Sequence, residues 1–277
     1  MNVSVNPVLK TATGSFPALG FGTWQLENGV ARAAVRTALE TGYRHIDTAR
    51  MYKNEEAVGQ GVADSNVARG EIFLTTKIAQ EDLDESSVKR EMDASLKALN
   101  TDYVDLLLVH WPSKAVPLAE TLGAMSELRT AGKTRHVGVS NFTLRWLQEA
   151  LDVSPCSILC NQVEYHPYLS QQRLLAFCRA NDVALTAYCP LAKGRIPDDP
   201  ALQEIGRTHG KSAVQVAIRW FLQQEGVGLL PRSSKPERIR SNFDVFDVEL
   251  SDQEMERIFS LDRGERIINP LWAPEWD

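Results

Sequence analysis

The sequence has no long apolar run and no basic leader. Of its 277 residues, 43% are hydrophobic and 24% charged, but no apolar stretch approaches the roughly 18 residues that a membrane-spanning helix needs. Residues 1–10 show no basic segment followed by an apolar one, so we expect no signal peptide and a cytoplasmic location. A formal net charge of −6 argues against broad binding to nucleic acid or anionic membranes.

Cysteine is also scarce. The four cysteines are Cys156, Cys160, Cys178 and Cys189. None forms a C-x-x-C pair, and no histidine pair with the spacing of zinc ligands lies near them. We therefore expect four reduced thiols, no structural disulfide and no metal site.

Short apolar runs alternate with helical patterns from residue 18 onwards. Eight strands are predicted, at residues 18–22, 44–46, 72–76, 104–109, 135–139, 158–163, 183–188 and 227–230. Eight strand–helix units without a Ser/Gly-rich linker are typical of one α/β domain, a (β/α)8 TIM barrel, over residues 1–277. A doubly wound sheet is the alternative, although it normally has fewer units or a break in composition.

Local signals add detail at the ends of several elements. Ser212 and Ser251 each open a capping box, the second of them on an extra helix that ends near residue 262. Asn54 is predicted to cap the helix that follows it. Residues 8–11 and 15–17 flank a short turn and predict a hairpin, which could close the bottom of the barrel.

Polar residues follow seven of the eight predicted strands. In chain order they are Asp47 with Tyr52, Lys77, His110 with Trp111, Ser140 with Asn141, Gln162, Tyr188, and Arg232 with Ser233. In a (β/α)8 barrel the carboxyl ends of the strands form one face, and the active site lies there. We therefore expect these side chains to meet.

Four of these residues make chemical sense together. An ammonium group at Lys77 would lower the pKa of the Tyr52 phenol, and Asp47 would keep that lysine charged. Such a tyrosine could protonate a carbonyl oxygen, which a neutral His110 could orient. The alternative is a buried Asp47–Lys77 ion pair beside a histidine that belongs to the core.

A second cluster is basic and follows the last strand. It contains Arg232, Lys235, Arg238 and Arg240. Barrel enzymes commonly bind phosphate after strands seven and eight, at the N-terminus of a helix. No strand is followed by a G-x-G-x-x-G motif, so a Rossmann nucleotide site is excluded. The alternative for the cluster is a solvated start of a helix.

Several segments resemble the signatures of the aldo-keto reductases. They are residues 42–49 with Tyr52, 74–77, 109–112, 138–142, 161–167 and 230–233. The resemblance runs through essentially the whole chain in order. The ending at residues 271–277 and the short length are similar to the bacterial branch, in particular the 2,5-diketo-D-gluconic acid reductases.

The resemblance implies a barrel with an N-terminal hairpin that binds NADPH in an extended pose. It implies reduction of aldehydes and reactive ketones, with Tyr52 as proton donor, Lys77 and Asp47 lowering its pKa, and His110 orienting the carbonyl. The substrate would be a small molecule such as a dicarbonyl, a keto-sugar acid, methylglyoxal or an aromatic aldehyde. Apart from the resemblance, no heptad pattern or apolar surface stripe in the sequence suggests obligate assembly, so we expect a monomer.

The resemblance also implies the residues that hold the cofactor and substrate. Tyr188 would stack on the nicotinamide ring. The carboxamide of the nicotinamide would form hydrogen bonds with Ser140, Asn141 and Gln162. The remaining cofactor contacts would be Leu191, Arg232, Ser233 and Arg238, the last three at the 2′-phosphate, and Asn242 at the adenine. Trp24 and Trp111 would line the substrate pocket, the alternative being ordinary core aromatics.

Two positions depart from the family pattern. Arg232 stands where the family often has lysine, and arginine can hold a phosphate with two hydrogen bonds. Ser241 stands where the family often has a glutamate that clamps the adenine end. We expect NADPH to remain preferred, with some use of NADH.

Two other functions fit the same barrel. One is a non-catalytic NADPH-binding subunit that senses redox state, and the other is an aldolase that forms a Schiff base on Lys77. The intact set of four residues argues against the first, and the pairing of Lys77 with Asp47 argues against the second. Only 15 residues follow the last predicted helix, which favours an open site.

Overall fold

The computed structural model describes residues 6–277. Residues 1–5, part of the segment for which no leader is predicted, lie outside the described residues. The strands are β1 Val8–Thr11, β2 Gly14–Pro17, β3 Phe21–Gly22, β4 His45–Asp47, β5 Phe73–Ile78, β6 Val104–Val109, β7 Thr134–Ser140, β8 Ile158–Glu164, β9 Ala184–Tyr188 and β10 Val227–Leu229. The helices are α1 Asn28–Thr41, α2 Glu55–Ala63, α3 Glu85–Leu99, α4 Leu118–Thr130, α5 Leu144–Val153, α6 Gln172–Ala180, α7 Pro200–His209, α8 Ala213–Leu222, α9 Pro236–Phe243 and α10 Asp252–Phe259.

Strands β3 to β10 form the predicted (β/α)8 barrel. Each strand is parallel to its neighbour, in chain order from β3 to β10. The two end strands also meet, because Leu19 pairs with Leu229 and the Gly20 amide donates to the Leu229 carbonyl at 2.9 Å. The carboxyl ends of all eight strands therefore lie on one face.

The predicted hairpin closes the amino-terminal end of the barrel. Strands β1 and β2 are antiparallel, and Phe16 on β2 is buried. Its ring lies 5.3 Å from that of Phe73 and 5.7 Å from that of His45. With Leu106 and Leu108 of β6, Phe16 belongs to an apolar cluster separate from the larger core.

The helices agree with the prediction, except that one helix was not predicted and one predicted capping residue makes no capping hydrogen bond. Both predicted capping boxes, at Ser212 and Ser251, are present. Helix α7 was not predicted, although Asp199 caps its first turn. Asn54 precedes α2 but makes no cap bond. Its amide instead donates to the carbonyls of Thr23 and Leu26 and tethers the loop after β3.

No helix within residues 6–277 is both long and apolar enough to cross a membrane.

His45 is a buried polar group at the closed end of the barrel. Its Nε2 lies 3.1 Å from Thr75 Oγ1, and its Nδ1 lies 3.3 Å from the Pro17 carbonyl oxygen. Burial is the largest influence, and it lowers the pKa of His45 to about 4. The neutral imidazole is therefore part of the native packing near neutral pH.

This burial predicts acid sensitivity. In the unfolded chain the histidine pKa is about 6.5, so between about 6.5 and 4 the unfolded state binds more protons than the folded state. The free energy of unfolding should therefore fall as the pH is lowered through that window, with a contribution of roughly 3 kcal/mol from His45. Urea unfolding of His45→Gln at several pH values should show a shallower decline than the wild type. Equal declines would contradict the prediction.

Candidate active site

The four residues predicted to act together do meet at the carboxyl-end face. Asp47 ends β4, Lys77 lies near the end of β5, and His110 follows β6. Tyr52 ends a single 3-10 turn, Arg50–Tyr52, in the loop after β4. The Tyr52 and His110 rings lie 5.6 Å apart, nearly edge to face.

A buried ion pair joins Lys77 and Asp47. Lys77 Nζ lies 2.5 Å from Asp47 Oδ1 and also donates to the Thr48 carbonyl at 2.9 Å and to Tyr52 Oη at 3.3 Å. The lysine side chain is fully buried and that of Asp47 is 4% exposed. Burial lowers the pKa of Lys77, and the charge of Asp47 opposes that shift.

Gln162 completes the environment of Asp47. Its Nε2 donates to Asp47 Oδ2 at 2.7 Å, from the end of β8 across the barrel. Both carboxylate oxygens of Asp47 therefore have a hydrogen-bond donor. A carboxylate out of water needs such donors to remain ionised.

The pKa of Tyr52 departs from the sequence-based expectation. Burial raises it well above its ordinary value, and the charge of Asp47 adds to this. Burial and the charge of Asp47 outweigh the effect of the Lys77 ammonium, so the net shift of the pKa is upward, opposite to the predicted direction. The phenol remains protonated near neutral pH and therefore has a proton to donate.

His110 is neutral, as expected. Burial and the nearby Lys77 charge lower its pKa well below the usual value. Within residues 6–277 its Nδ1 has no hydrogen-bond partner, although the atom is buried. A buried polar atom without a partner is costly, so the structure leaves hydrogen-bonding capacity of His110 unused.

A hydrogen-bonded row continues from Gln162 to Tyr188. Ser140 Oγ donates to the Gln162 carbonyl at 2.8 Å, and Asn141 Nδ2 donates to the His110 carbonyl at 2.9 Å. Tyr188 Oη donates to Asn141 Oδ1 at 2.7 Å. The side chains predicted to hold a nicotinamide thus lie together, beside the four residues above.

The basic cluster surrounds the first turn of α9. Arg232, Lys235 and Arg238 are exposed, and no carboxylate in the described part of the chain forms a salt bridge with any of them; Arg232 Nη2 contacts Gln25 Oε1 at 3.2 Å. Ser233 and Asn242 are largely buried. Cations without a carboxylate partner at a helix N-terminus have the chemistry to bind a phosphate group of a ligand.

The two predicted pocket tryptophans and Leu191 differ in setting. Trp111 is 5% exposed and Trp24 is 40% exposed. Lys193 Nζ lies 5.8 Å from the Trp24 ring, and Leu191 packs against the main core in the loop after β9. Trp111 directly follows His110, so it lies beside the four residues, whereas Trp24 lies nearer the loop after β9.

Glu164 and Trp276 had no predicted role. Glu164 is fully buried at the end of β8, and the Trp276 ring lies 6.1 Å from that of Trp111. The tail after α10 is short, as predicted, and near its end it brings Trp276 against Trp111. Glu164 lies in the segment 161–167, which resembles a family signature. A charged residue at the end of a strand is the feature of the sequence that could have marked it as functional.

The four cysteines are free, as predicted. Burial raises the pKa of Cys189, beside Tyr188, to about 11. Only a minute fraction of this thiol is ionised near neutral pH, so it is a poor nucleophile and a poor target for oxidation. No group of metal-ligating side chains occurs in residues 6–277.

Comparisons with known proteins point in the same direction. The model of the aldo/keto reductase family matches residues 18–263. The chain is 41% identical to a glyoxal reductase of Bacillus subtilis (strain 168) over 269 residues, which are 96% of this chain and 97% of the relative. It is 39% identical to the methylglyoxal reductase DkgB of Salmonella typhi over 267 residues, 95% of this chain and 100% of that relative.

Solved structures agree as well. A crystal structure of a candidate 2,5-diketo-D-gluconic acid reductase B superposes with a TM-score of 0.97 at 43% identity, and it covers 99% of this chain and 98% of that one. The barrel and the family match define an oxidoreductase of the type that generally uses a nicotinamide cofactor. The chain belongs to the aldo/keto reductase family.

The ion pair predicts a strong difference between single and double variants. Lys77→Met leaves the Asp47 carboxylate buried without its cation, which should lower the free energy of unfolding by about 3–5 kcal/mol. Adding Asp47→Leu removes the unpaired buried charge and should recover much of the lost free energy of unfolding. Urea unfolding of wild type, both single variants and the double variant measures this. Additive losses would contradict it.

Proposed function

We propose that the protein is an NADPH-dependent reductase of aldehydes and reactive ketones, with Tyr52 as the proton donor. The observation that carries this proposal is the contact of Lys77 Nζ with both Asp47 and Tyr52, in a buried cluster beside a neutral His110. NADPH, when bound, supplies the hydride that attacks the carbonyl carbon. The chain's own residues must then manage the oxygen and its proton.

The proton step uses groups already in contact. As the carbon receives hydride, the π electrons of the carbonyl move to its oxygen, and Tyr52 Oη transfers its proton there. The phenolate left on Tyr52 is 3.3 Å from Lys77 Nζ, so the ammonium stabilises the charge as it forms. His110 is the donor that orients the carbonyl oxygen before the transfer.

The same contacts argue against a Schiff-base aldolase. That chemistry needs a neutral lysine amine with a free lone pair. Lys77 instead donates to a carboxylate, a carbonyl and a phenol. Reduction therefore uses Lys77 in the state that its partners favour.

We assign the residues that would contact NADPH from the hydrogen-bond donors that they offer. Arg232, Ser233 and Arg238 lie at the start of α9 and would hold the 2′-phosphate, while Asn242 would contact the adenine. Ser140, Asn141 and Gln162 would bind the carboxamide, with Tyr188 against the ring and Leu191 in the adjoining loop. NADPH is thus favoured over NADH.

We further propose small carbonyl compounds as substrates and a cytoplasmic monomer as the working form. Relatives named as glyoxal and methylglyoxal reductases favour 2-oxoaldehydes, and keto-sugar acids and aromatic aldehydes remain in the same class. Four free thiols are usual for a protein of a reducing compartment.

Tyr52→Phe should remove the proton donor and keep the ring. We expect kcat for methylglyoxal reduction to fall by about 10²–10⁴, the usual contribution of general acid catalysis. NADPH binding, followed by quenching of tryptophan fluorescence, should be retained. Tyr103→Phe is the matched control, since Tyr103 packs between Arg69 and Arg135. Turnover that persists in Tyr52→Phe would exclude this role.

Cofactor preference tests the basic cluster separately. We expect kcat/KM to be higher with NADPH than with NADH, and Arg238→Met to lower the NADPH value by about tenfold to a hundredfold, since charge-assisted hydrogen bonds contribute roughly 1.5–3 kcal/mol. The NADH value should change much less. Arg90→Met, an exposed arginine on α3, is the control. Equal values for the two cofactors in the wild type would contradict the assignment.

A further inference from the structure

The tail after α10 crosses the carboxyl-end face of the barrel. Near its start the amides of Arg263 and Glu265 donate to the Tyr168 carbonyl at 3.3 and 2.9 Å. At its end Asp277 Oδ2 accepts from the Leu144 amide at 2.7 Å, at the start of α5. The segment between them therefore passes over the face on which the active-site residues lie.

Glu164 holds this segment from below. Its Oε1 accepts from the Ile267 amide at 2.7 Å, and its Oε2 accepts from the Ile268 amide at 2.9 Å. His166 Nε2 lies 3.1 Å from Oε1, and Arg266 Nη1 lies 3.7 Å from Oε2. A fully buried carboxylate is unstable without such partners, and charge-assisted hydrogen bonds are stronger than neutral ones. The tail supplies the partners of Glu164, and Glu164 fixes the tail.

The anchored segment sets the position of one aromatic ring. The Arg266 guanidinium carbon lies 3.6 Å from the centre of the Trp276 ring, a cation–π contact. Trp276 Nε1 donates to Asn269 Oδ1 at 2.9 Å. The ring then meets Trp111 at 6.1 Å and 65°, and Trp111 directly follows His110.

We propose that Glu164 is a positioning residue that fixes the tail so that Trp276 and Trp111 form one wall of the substrate pocket. This wall favours planar aromatic aldehydes over saturated aldehydes of the same size. The selectivity rests on the reductase function proposed above, whereas the anchoring of the tail does not. Two aromatic faces at an angle offer edge and face contacts that a flat ring can use and a puckered ring cannot.

The anchor is tested without turnover. Glu164→Gln keeps the shape of the side chain but replaces one acceptor oxygen by an NH₂ group, which cannot accept from a main-chain amide. Hydrogen exchange should show at least a tenfold loss of protection at Ile267 and Ile268. Asp105→Asn is the matched control, because Asp105 is also a buried carboxylate that accepts from a main-chain amide, that of Leu74. Unchanged protection in Glu164→Gln would overturn the anchor.

The selectivity is tested with benzaldehyde and cyclohexanecarbaldehyde in the presence of NADPH. Trp276→Leu should lower the ratio of the two kcat/KM values by about twofold to tenfold, the range of an aromatic contact. Glu164→Gln should lower the same ratio, mainly through KM for benzaldehyde. The double variant should be no worse than the larger single effect, because both changes act through one ring. Asp105→Asn should leave the ratio unchanged.

The possible failures are distinguishable. If Glu164→Gln does not fold, Ile267→Pro removes one donor N–H while leaving the carboxylate intact, and it should shift the ratio in the same direction. A ratio that stays constant in the Trp276 and tail variants would overturn the selectivity. A wild-type protein that reduces neither aldehyde would overturn the reductase function and the selectivity with it, while hydrogen exchange would still decide the anchor.

Discussion

The buried contact between Lys77 and Asp47 is the interaction on which the rest of the site depends. Two charges inside a barrel are stable only if every remaining donor and acceptor is used. Lys77 also donates hydrogen bonds to the carbonyl of Thr48 and to the phenol of Tyr52. Gln162 donates to the second carboxylate oxygen of Asp47. These partners come from three strands and a loop, so a single electrostatic requirement fixes their relative positions.

The barrel makes this arrangement possible because it brings distant parts of the chain to one face. Gln162 and Asp47 are 115 residues apart in sequence and 2.7 Å apart in space. Gln162 also belongs, through its carbonyl and Ser140, to the row that ends at Tyr188. The proposed nicotinamide site and the proposed proton donor therefore share one hydrogen-bonded network, and a change at either end bears on the other.

Much of the fold and the site could be predicted from sequence, for identifiable reasons. Seven of the eight predicted strands are followed by a polar residue, and the apolar runs and these polar residues are both local signals in the sequence. Helix α7 was not predicted, although the capping residue Asp199 and Pro200 in its first turn mark its start. The predicted direction of the Tyr52 pKa shift was wrong because that direction depends on burial and on the nearby charge of Asp47, which are set by the folded structure. The course of the tail depends on Glu164, a partner about a hundred residues away.

The attachment of the tail through main-chain amides has a consequence for how this pocket can diverge. The bonds from Ile267 and Ile268 to Glu164 require peptide N–H groups and not particular side chains. Residues 269–275 can therefore be exchanged while the carboxylate keeps its partners and the barrel keeps its packing. The sequence of the tail can therefore be redesigned for a new substrate without a change at Glu164 or at the Lys77–Asp47 pair.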